Sequence, residues 1–520
     1  AAMIVEFAGL PEEVKEDAAA AERFLAEEGA SEIRTAADRD ERTELWKCRK
    51  KAFGAVGRLA PSYVTMDVVV PLGSLPALVD EIQVIKTRHG VEVATAFHAG
   101  DGNLHPGVHY DDRDPAQTAA AHAAADEIIR AALRRGGSAT GEHGVGIEKL
   151  HVLPWQLDAG TAGLLHRIKR LFDPDDLLNP GKALPDPASE FSPAPAVPRV
   201  VDFRWRDLTV TAPASTPLSD LQAAASRRGL QIPVGVGLVP GSRTATVADL
   251  VDHLVTGPSA GASGHARDAL LEIWAVTGDG RDFHAGAPVF KNVAGYDLVG
   301  LVAGAGGALA SVEAATFQLR PVPRDLGLVR LEPEEDCPLA ALEDLLAALT
   351  GRDASLGGPA AAYETDGRRL SGPATLWIPG RNRSWELGTW ENRLQDVPGL
   401  ACTRFDVKPW ADALDELTAG TDVAWLDTGD WSILACSPGE SGGLVPRVAG
   451  RFVWQAAPRI VWAAGDHASV AGLNRDAFRR DGVVIPSPGP TAGVPRDVLA
   501  GLKAIFDPEG RLAPLPEGEG

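Results

Sequence analysis

The chain has 520 residues, with 71 Asp and Glu against 50 Lys and Arg and a formal net charge of −21, a balance that argues against a nucleic-acid partner, whose phosphates need a basic footprint. At roughly 100–200 residues per domain, this length implies three or four domains. No apolar run approaches the ~20 residues that cross a bilayer, and residues 1–10 read as a strand and not as a charged secretory leader, so the expectation is a cytoplasmic protein, or one held at a membrane through a partner.

In chain order, hydrophobic periodicity and turn residues predict a strand at Met3 to Phe7, a helix at Glu12 to Glu28, a strand at Glu32 to Thr35, and a helix from about Asp38 to Ala52. A strand at Tyr63 to Val70 and a helix at Leu75 to His89 follow. Between Asp38 and the next loop, Lys47, Arg49, Lys50, Lys51 and Arg58 crowd twelve residues. The lysines read as a solvated helical face, whereas the planar guanidinium of Arg49 can hold a carboxylate in a bidentate grip; Arg58 is a weaker candidate.

Next come two apolar runs, Val91 to Phe97 and Leu104 to Tyr110, joined by the turn formers Gly100 to Asn103, the pattern of a β-hairpin. If Ala99 pairs with Leu104, His98 faces His105 at the roughly 4.5–5.5 Å Cβ separation of cross-strand neighbours, close enough for two imidazoles to share one divalent metal. An Ala-rich helix is predicted from Pro115 to Arg135, and then Gly141-Glu142-His143-Gly144 supplies a carboxylate ligand and an adjacent acid or base. A lone histidine on a strand is usually packed or solvated. Two facing histidines with a separate glycine-flanked Glu-His favour a site over a scaffold. The mixture of elements fits an α+β sandwich with a ferredoxin-like core.

HAGDGNLHP and GEHGVGIEK, with LWKCRKKAFGAVGRLAPSYVTMDVVVP at 45–71 and LFDPDDLLNPGK at 171–182, resemble the C-terminal domain of the FAD-linked oxidases related to vanillyl-alcohol oxidase. The likeness is greatest to the glycolate oxidase, D-lactate and D-2-hydroxyglutarate dehydrogenase branch, and it covers nearly all of residues 1–187. It implies a divalent metal on His98, His105 and Glu142, with Zn the default and Mn or Fe alternatives. It also implies His143 as catalytic base and Arg49 on the substrate carboxylate, and Asn103 is placed to hydrogen-bond substrate or flavin. Family members precede this domain with a complete FAD domain; none stands before Ala1, so an upstream piece, trimmed or separately encoded, is expected.

DPASEFSPAPAVP at 186–198 holds four prolines and reads as an extended linker, giving domains at 1–187 and 200–325 with a linker at 188–199. VDFRWRDLTVTAPASTPLSDLQAAASRRGLQIP (201–233) and the stretch from Phe283 to Pro323, with KNVAGYDL at its heart, resemble the FAD-binding accessory subunit of glycolate oxidase. That likeness implies a partial PCMH-type FAD-binding domain with Lys291, Asn292, Gly295, Tyr296 and Gly257 at the cofactor, and a divergent cap-like domain over 326–520. Asp249 and Asp252 fall where small residues are expected beside a pyrophosphate, which they would face poorly. Gly304 to Leu309 lacks the βαβ context of a dinucleotide fingerprint and reads as a packed turn before a strand. Leu165 to Gly181 and Val498 to Pro514 share a helix, a Phe-Asp-Pro stop and a Leu-containing tail, so two homologous units are fused; the second copy lacks Asn-Pro-Gly and is expected to have no contact role.

The expected function is FAD-dependent oxidation of a 2-hydroxy acid, glycolate oxidase-like, as a subunit beside flavoprotein and iron–sulfur partners, since Cys48, Cys337, Cys402 and Cys436 lie far apart with no Cys-x-x-Cys to hold a cluster. A metal hydrolase would use the same ligands to activate water, and a non-catalytic structural subunit with a decayed flavin site would explain Asp249 and Asp252.

Overall fold

The computed structural model describes residues 2–7, 11–233, 245–253, 266–322 and 496–515, together with Leu342, Leu370 and the backbone of eight strands between 325 and 485. Strands β1 (Ser62–Thr65) and β2 (Val68–Val69), helix α1 (Pro11–Glu27), α2 (Arg39–Val56) and α3 (Leu75–His89), and the hairpin strands β3 (Glu92–His98) and β4 (Asn103–Tyr110) precede α4 (Pro115–Leu133). Segment 138–140 then bridges back to Val69 and Asp67. This is the strand–helix–strand–strand–helix–strand order of a ferredoxin-like core, and the predicted hairpin is present with each strand boundary within one residue of expectation.

The chain divides into two compact units, the first made of residues 1–66, 80–96 and 105–128. Within it β1 pairs antiparallel with β4, Thr65 opposite Gly107 and Tyr63 opposite His109. The helix starts are written in the sequence: Asp38 Oδ1 accepts from Glu41 N at 2.8 Å ahead of α2, and Asp114 Oδ1 accepts from Ala116 N at 2.9 Å with Pro115 in the first turn of α4. Residues 3–7 and 32–35, expected as strands, form no strand and have no strand partner among the described residues. Alternation alone does not make a strand where no ladder neighbour is available, and Met3 and Val5 are exposed, while Glu6 accepts from the Trp46 indole at 2.6 Å.

The second unit contains residues 67–79, 97–104 and 129–520. Here the first two residues of β4 pair with β2, Val68 opposite Leu104 and Val69 opposite Asn103. A five-stranded antiparallel sheet is built from β5 (Asp202–Arg204), β6 (Thr209–Pro213), β7 (Leu270–Thr277), β8 (Asp282–Gly286) and β9 (Ala310–Gln318), in the order β5-β6-β9-β7-β8. Helices α5 (Ala159–Phe172), α6 (Leu218–Ser226), α7 (Val247–His253), α8 (Leu298–Val302) and α9 (Arg496–Phe506) accompany it. One apolar core joins Leu164 and Ile168 of α5, Val210, Ile273, Phe283 and Phe317 of the sheet, and Leu502 and Phe506 of α9. The strands between 325 and 485 form a separate eight-stranded sheet. No helix among the described residues is long and apolar enough to cross a membrane.

The two sequence copies repeat in three dimensions. Asp173 takes the Lys169 ammonium and the backbone N–H groups of Leu177 and Leu178, both at 2.9 Å; Asp507 takes Lys503 at 2.6 Å and the N–H groups of Arg511 and Leu512 at 2.7 and 2.9 Å. The second copy therefore does have a contact role: Asp507 is buried and Phe506 O accepts from Gly278 N at 2.7 Å. Loss of Asn-Pro-Gly leaves the aspartate, which ties the turn, intact. Gly304, Gly306 and Gly307 adopt positive φ in the turn that precedes β9, as expected of a packed turn.

Candidate metal and flavin-side site

Asp67, absent from the sequence-based candidates, organises the site. It lies between Met66 and Val68 and is fully buried. Its Oδ2 accepts from Thr140 Oγ1 (2.9 Å) and from the backbone N–H groups of Gly141 (3.0 Å), Glu142 (2.9 Å) and His143 (2.7 Å), while Oδ1 accepts from Asn103 Nδ2 at 2.9 Å. Burial by itself raises a carboxyl pKa, but these donors and the Lys149 ammonium, 3.7 Å away, hold that of Asp67 down to about 2. Lys149 is itself buried, and desolvation lowers its pKa. The turn at 141–143 is thus fixed by one carboxylate. Gly141 is needed there for close approach, because a Cβ would stand 2.2 Å from Asn103 Nδ2 and 2.4 Å from Val69 Cγ2.

This anchoring aims Glu142 and His143 outward, both exposed. Asp67, Glu142 and His143 each present an atom of metal-ligating type within 4.8 Å of the others, yet the Asp67 oxygens are already spent on N–H donors. His98, at the end of β3, has Nε2 4.0 Å from Glu142 Oε1, a spacing two ligands of one ion can adopt at bond lengths of about 2.0–2.2 Å. Lys291 reaches the same carboxylate: its Nζ is 2.5 Å from Glu142 Oε1 and 2.5 Å from Asp101 Oδ2. Burial would lower the Lys291 pKa, but hydrogen bonds to Asp101 and Glu142 outweigh it and raise it.

The other predicted residues are placed as follows. His105 is buried on β4, the residue after Leu104. Asn103, expected to contact substrate or flavin, is fully buried with its amide turned to Asp67. Arg49 is on α2. Asn292 Oδ1 accepts from Ser138 Oγ at 2.8 Å and Ala294 N at 3.1 Å. Asn292, Gly295 and Tyr296 line a cleft of about 540 Å³ with Arg267 and Asp268. Gly295 has φ +92°, and a Cβ there would lie 2.9 Å from Leu165 Cδ1, so packing on α5 demands the glycine. Asp249, expected to face a pyrophosphate poorly, is not a bare charge: its Oδ2 accepts from Thr246 N and Oγ1, both at 2.8 Å, in the capping arrangement of α7. Gly257 lies outside the described residues.

Residues 1–183 match the family of FAD linked oxidases, C-terminal domain. This part of the chain is a FAD-linked oxidase domain. It is 38% identical over 185 residues to the glycolate oxidase subunit GlcD of Escherichia coli strain K12, covering 36% of this chain and 37% of that protein. It is 31% identical over 185 residues to the mitochondrial D-lactate dehydrogenase [cytochrome] of Arabidopsis thaliana, covering 35% of this chain and 33% of that protein. The chain thus spans about a third of the length of these curated relatives. A solved chitooligosaccharide oxidase overlaps 60% of this chain and 78% of its own at 14% identity and a TM-score of 0.45, too distant to carry an argument. Within the FAD-linked oxidase domain, the one legible sign of Asp67 was a charge inside the apolar run Val64 to Val70. Buried carboxylates of that kind need donors, and the Gly-rich turn at 141 supplies them.

Proposed function

We propose that the chain is a FAD-dependent 2-hydroxy-acid oxidoreductase subunit, of glycolate oxidase type, with a divalent metal on His98, His105 and Glu142. The observation that carries the reading is the turn pinned by Asp67, which holds a carboxylate and an imidazole side by side, with His98 4.0 Å from the carboxylate. His105 follows Leu104, whose strand partner Val68 adjoins Asp67. The donor set of two imidazoles and one carboxylate suits Zn, Mn or Fe. When bound, FAD supplies the hydride acceptor and the metal a Lewis acid for the substrate oxygens. His143 takes the substrate hydroxyl proton on an imidazole nitrogen, and the Arg49 guanidinium holds the carboxylate. Asn103 acts through Asp67, by positioning the turn.

Asn292, Gly295 and Tyr296 line the FAD cleft in this reading, and Lys291 bridges it to Glu142. That the bacterial relative is by name a subunit supports assembly with further subunits; an iron–sulfur protein among them is the partner this reading calls for, since the four cysteines of this chain include no Cys-x-x-Cys. Elemental analysis of the purified chain tests the metal: His98→Ala with His105→Ala should abolish it, and unchanged stoichiometry refutes the site. A flavin spectrum tests the cofactor.

One observation favours a second reading. The Lys291 ammonium already compensates Glu142, as it would in a non-catalytic subunit whose lysine serves in place of an ion. Metal at one equivalent in the wild-type chain excludes it.

A further inference from the structure

The first unit contains a cavity that the metal and flavin residues do not explain. It has a volume of about 100 Å³ and its walls are almost wholly apolar. Its floor is the sheet: Thr65 of β1 sits opposite Gly107 of β4, Tyr63 opposite His109, and Ala94 and Ala96 of β3 close the other side. Ala52 and Val56 of α2 form the roof. Small side chains on three strands and a helix leave a space that larger residues would fill.

Four polar side chains line the cavity, Tyr63, Thr65, Thr95 and His109, and His109 is the titratable imidazole among them. His109 is 5% exposed, and neither ring nitrogen has a hydrogen-bond partner. Burial without a donor or acceptor costs free energy, and a molecule seated in the cavity with a polar atom beside the imidazole would offset that cost. Desolvation lowers its pKa, favouring the neutral ring, against the opposing pull of Glu92. No Lys or Arg lines the cavity, so a second carboxylate of a ligand would be buried there unpaired.

Two alignments tie the cavity to the proposed chemistry. His105, Gly107 and His109 alternate along β4 and share one face, about 7 Å per step of two residues. Arg49, Ala52 and Val56 are spaced three and four apart along α2, also on one face. A substrate held by Arg49 and the metal on His105 would extend its carbon chain toward Gly107 and His109. We propose that this cavity seats the uncharged tail of a monocarboxylic 2-hydroxy acid, with His109 and Gly107 as specificity-determining residues. A small, half-open apolar space of about 100 Å³ suits a tail of a few carbon groups and not a long chain, giving acids of about three to five carbons. The assignment rests on the 2-hydroxy-acid reading and selects within it.

The test is a binding series on the purified full chain, observed through ¹³C-labelled histidine rings, with the His109 signal identified by its loss in His109→Gln. The probes are glycolate, D-lactate, D-2-hydroxybutyrate, D-2-hydroxyvalerate and D-2-hydroxyglutarate. Affinity should rise about fourfold per added methylene up to five carbons, with the His109 signal shifting, and D-2-hydroxyglutarate should bind at least tenfold more weakly than D-2-hydroxyvalerate. Gly107→Ala places a methyl at ordinary contact, 3.6 Å from both Ala94 O and His109 Nε2, so it narrows the cavity without displacing its walls. It should lower the preference for D-2-hydroxybutyrate over glycolate about tenfold. Equal affinities along the series, or preference for the dicarboxylate, overturn the tail site while the 2-hydroxy-acid reading stands; no binding of any acid overturns both. The wild-type series decides the matter even if the variant does not fold.

Discussion

Lys291 Nζ lies 2.5 Å from Glu142 Oε1, so a residue beyond the matched stretch 1–183 is in contact with a carboxylate within it, 149 positions earlier in the chain. An ammonium at that oxygen competes with any metal ion for it. Lys291→Met should therefore tighten Mn²⁺ or Zn²⁺ binding by on the order of tenfold, a modest share of the attraction between charges about 4 Å apart at intermediate dielectric. Titration calorimetry of both proteins decides it, and equal affinities would mean that Lys291 yields its place at no cost.

Asp67→Asn should loosen the turn that carries Glu142 and His143. The aspartate's pKa is about 2 in the folded chain, below its ordinary value of about 3.9. Its contribution is thus complete above about pH 4 and is lost as the pH falls toward 2. Two pKa steps correspond to on the order of 2 kcal/mol. Urea denaturation at pH 7 and pH 3 should show the wild-type advantage at the higher pH and a smaller one at the lower; an equal difference at both pH values would assign the effect to packing.

Replacement of His143 by Ala separates base from ligand. Metal content should persist, whereas turnover of the assembled enzyme should fall by roughly 10²–10⁴-fold, the usual loss for a general base. Wild-type turnover in this variant would remove His143 from the chemistry.

Gly141→Ala should destabilise the fold by several kcal/mol, since its methyl would enter the space of Asn103 Nδ2 and Val69 Cγ2 at 2.2 and 2.4 Å and such overpacking commonly costs about 1–3 kcal/mol or more. Thermal unfolding provides the measure. Gly144→Ala is a useful control: it has open space around it but φ +76°, so only backbone strain, about 1 kcal/mol, should appear.

The sequence by itself determined the local features. Turn chemistry at Gly100 to Asn103 specified the hairpin, capping at Asp38 and Asp114 set helix starts, and the Phe-Asp-Pro repeat predicted two related helix ends, which recur as the Asp173 and Asp507 clusters. These depend on residues a few positions apart, whose interactions the order of the chain already fixes. Only the tertiary structure decided the rest. Residues 3–7 carry a strand pattern but have no ladder neighbour among the described residues; Asp67 becomes the hub of a turn 74 to 76 residues away; Asn103 points inward to it; and Lys291 reaches Glu142. The two buried outcomes, at Asp67 and Asn103, depend on which polar group finds which distant donor, because a carboxylate removed from water must be satisfied by whatever the fold brings beside it. No spacing in the sequence records that choice.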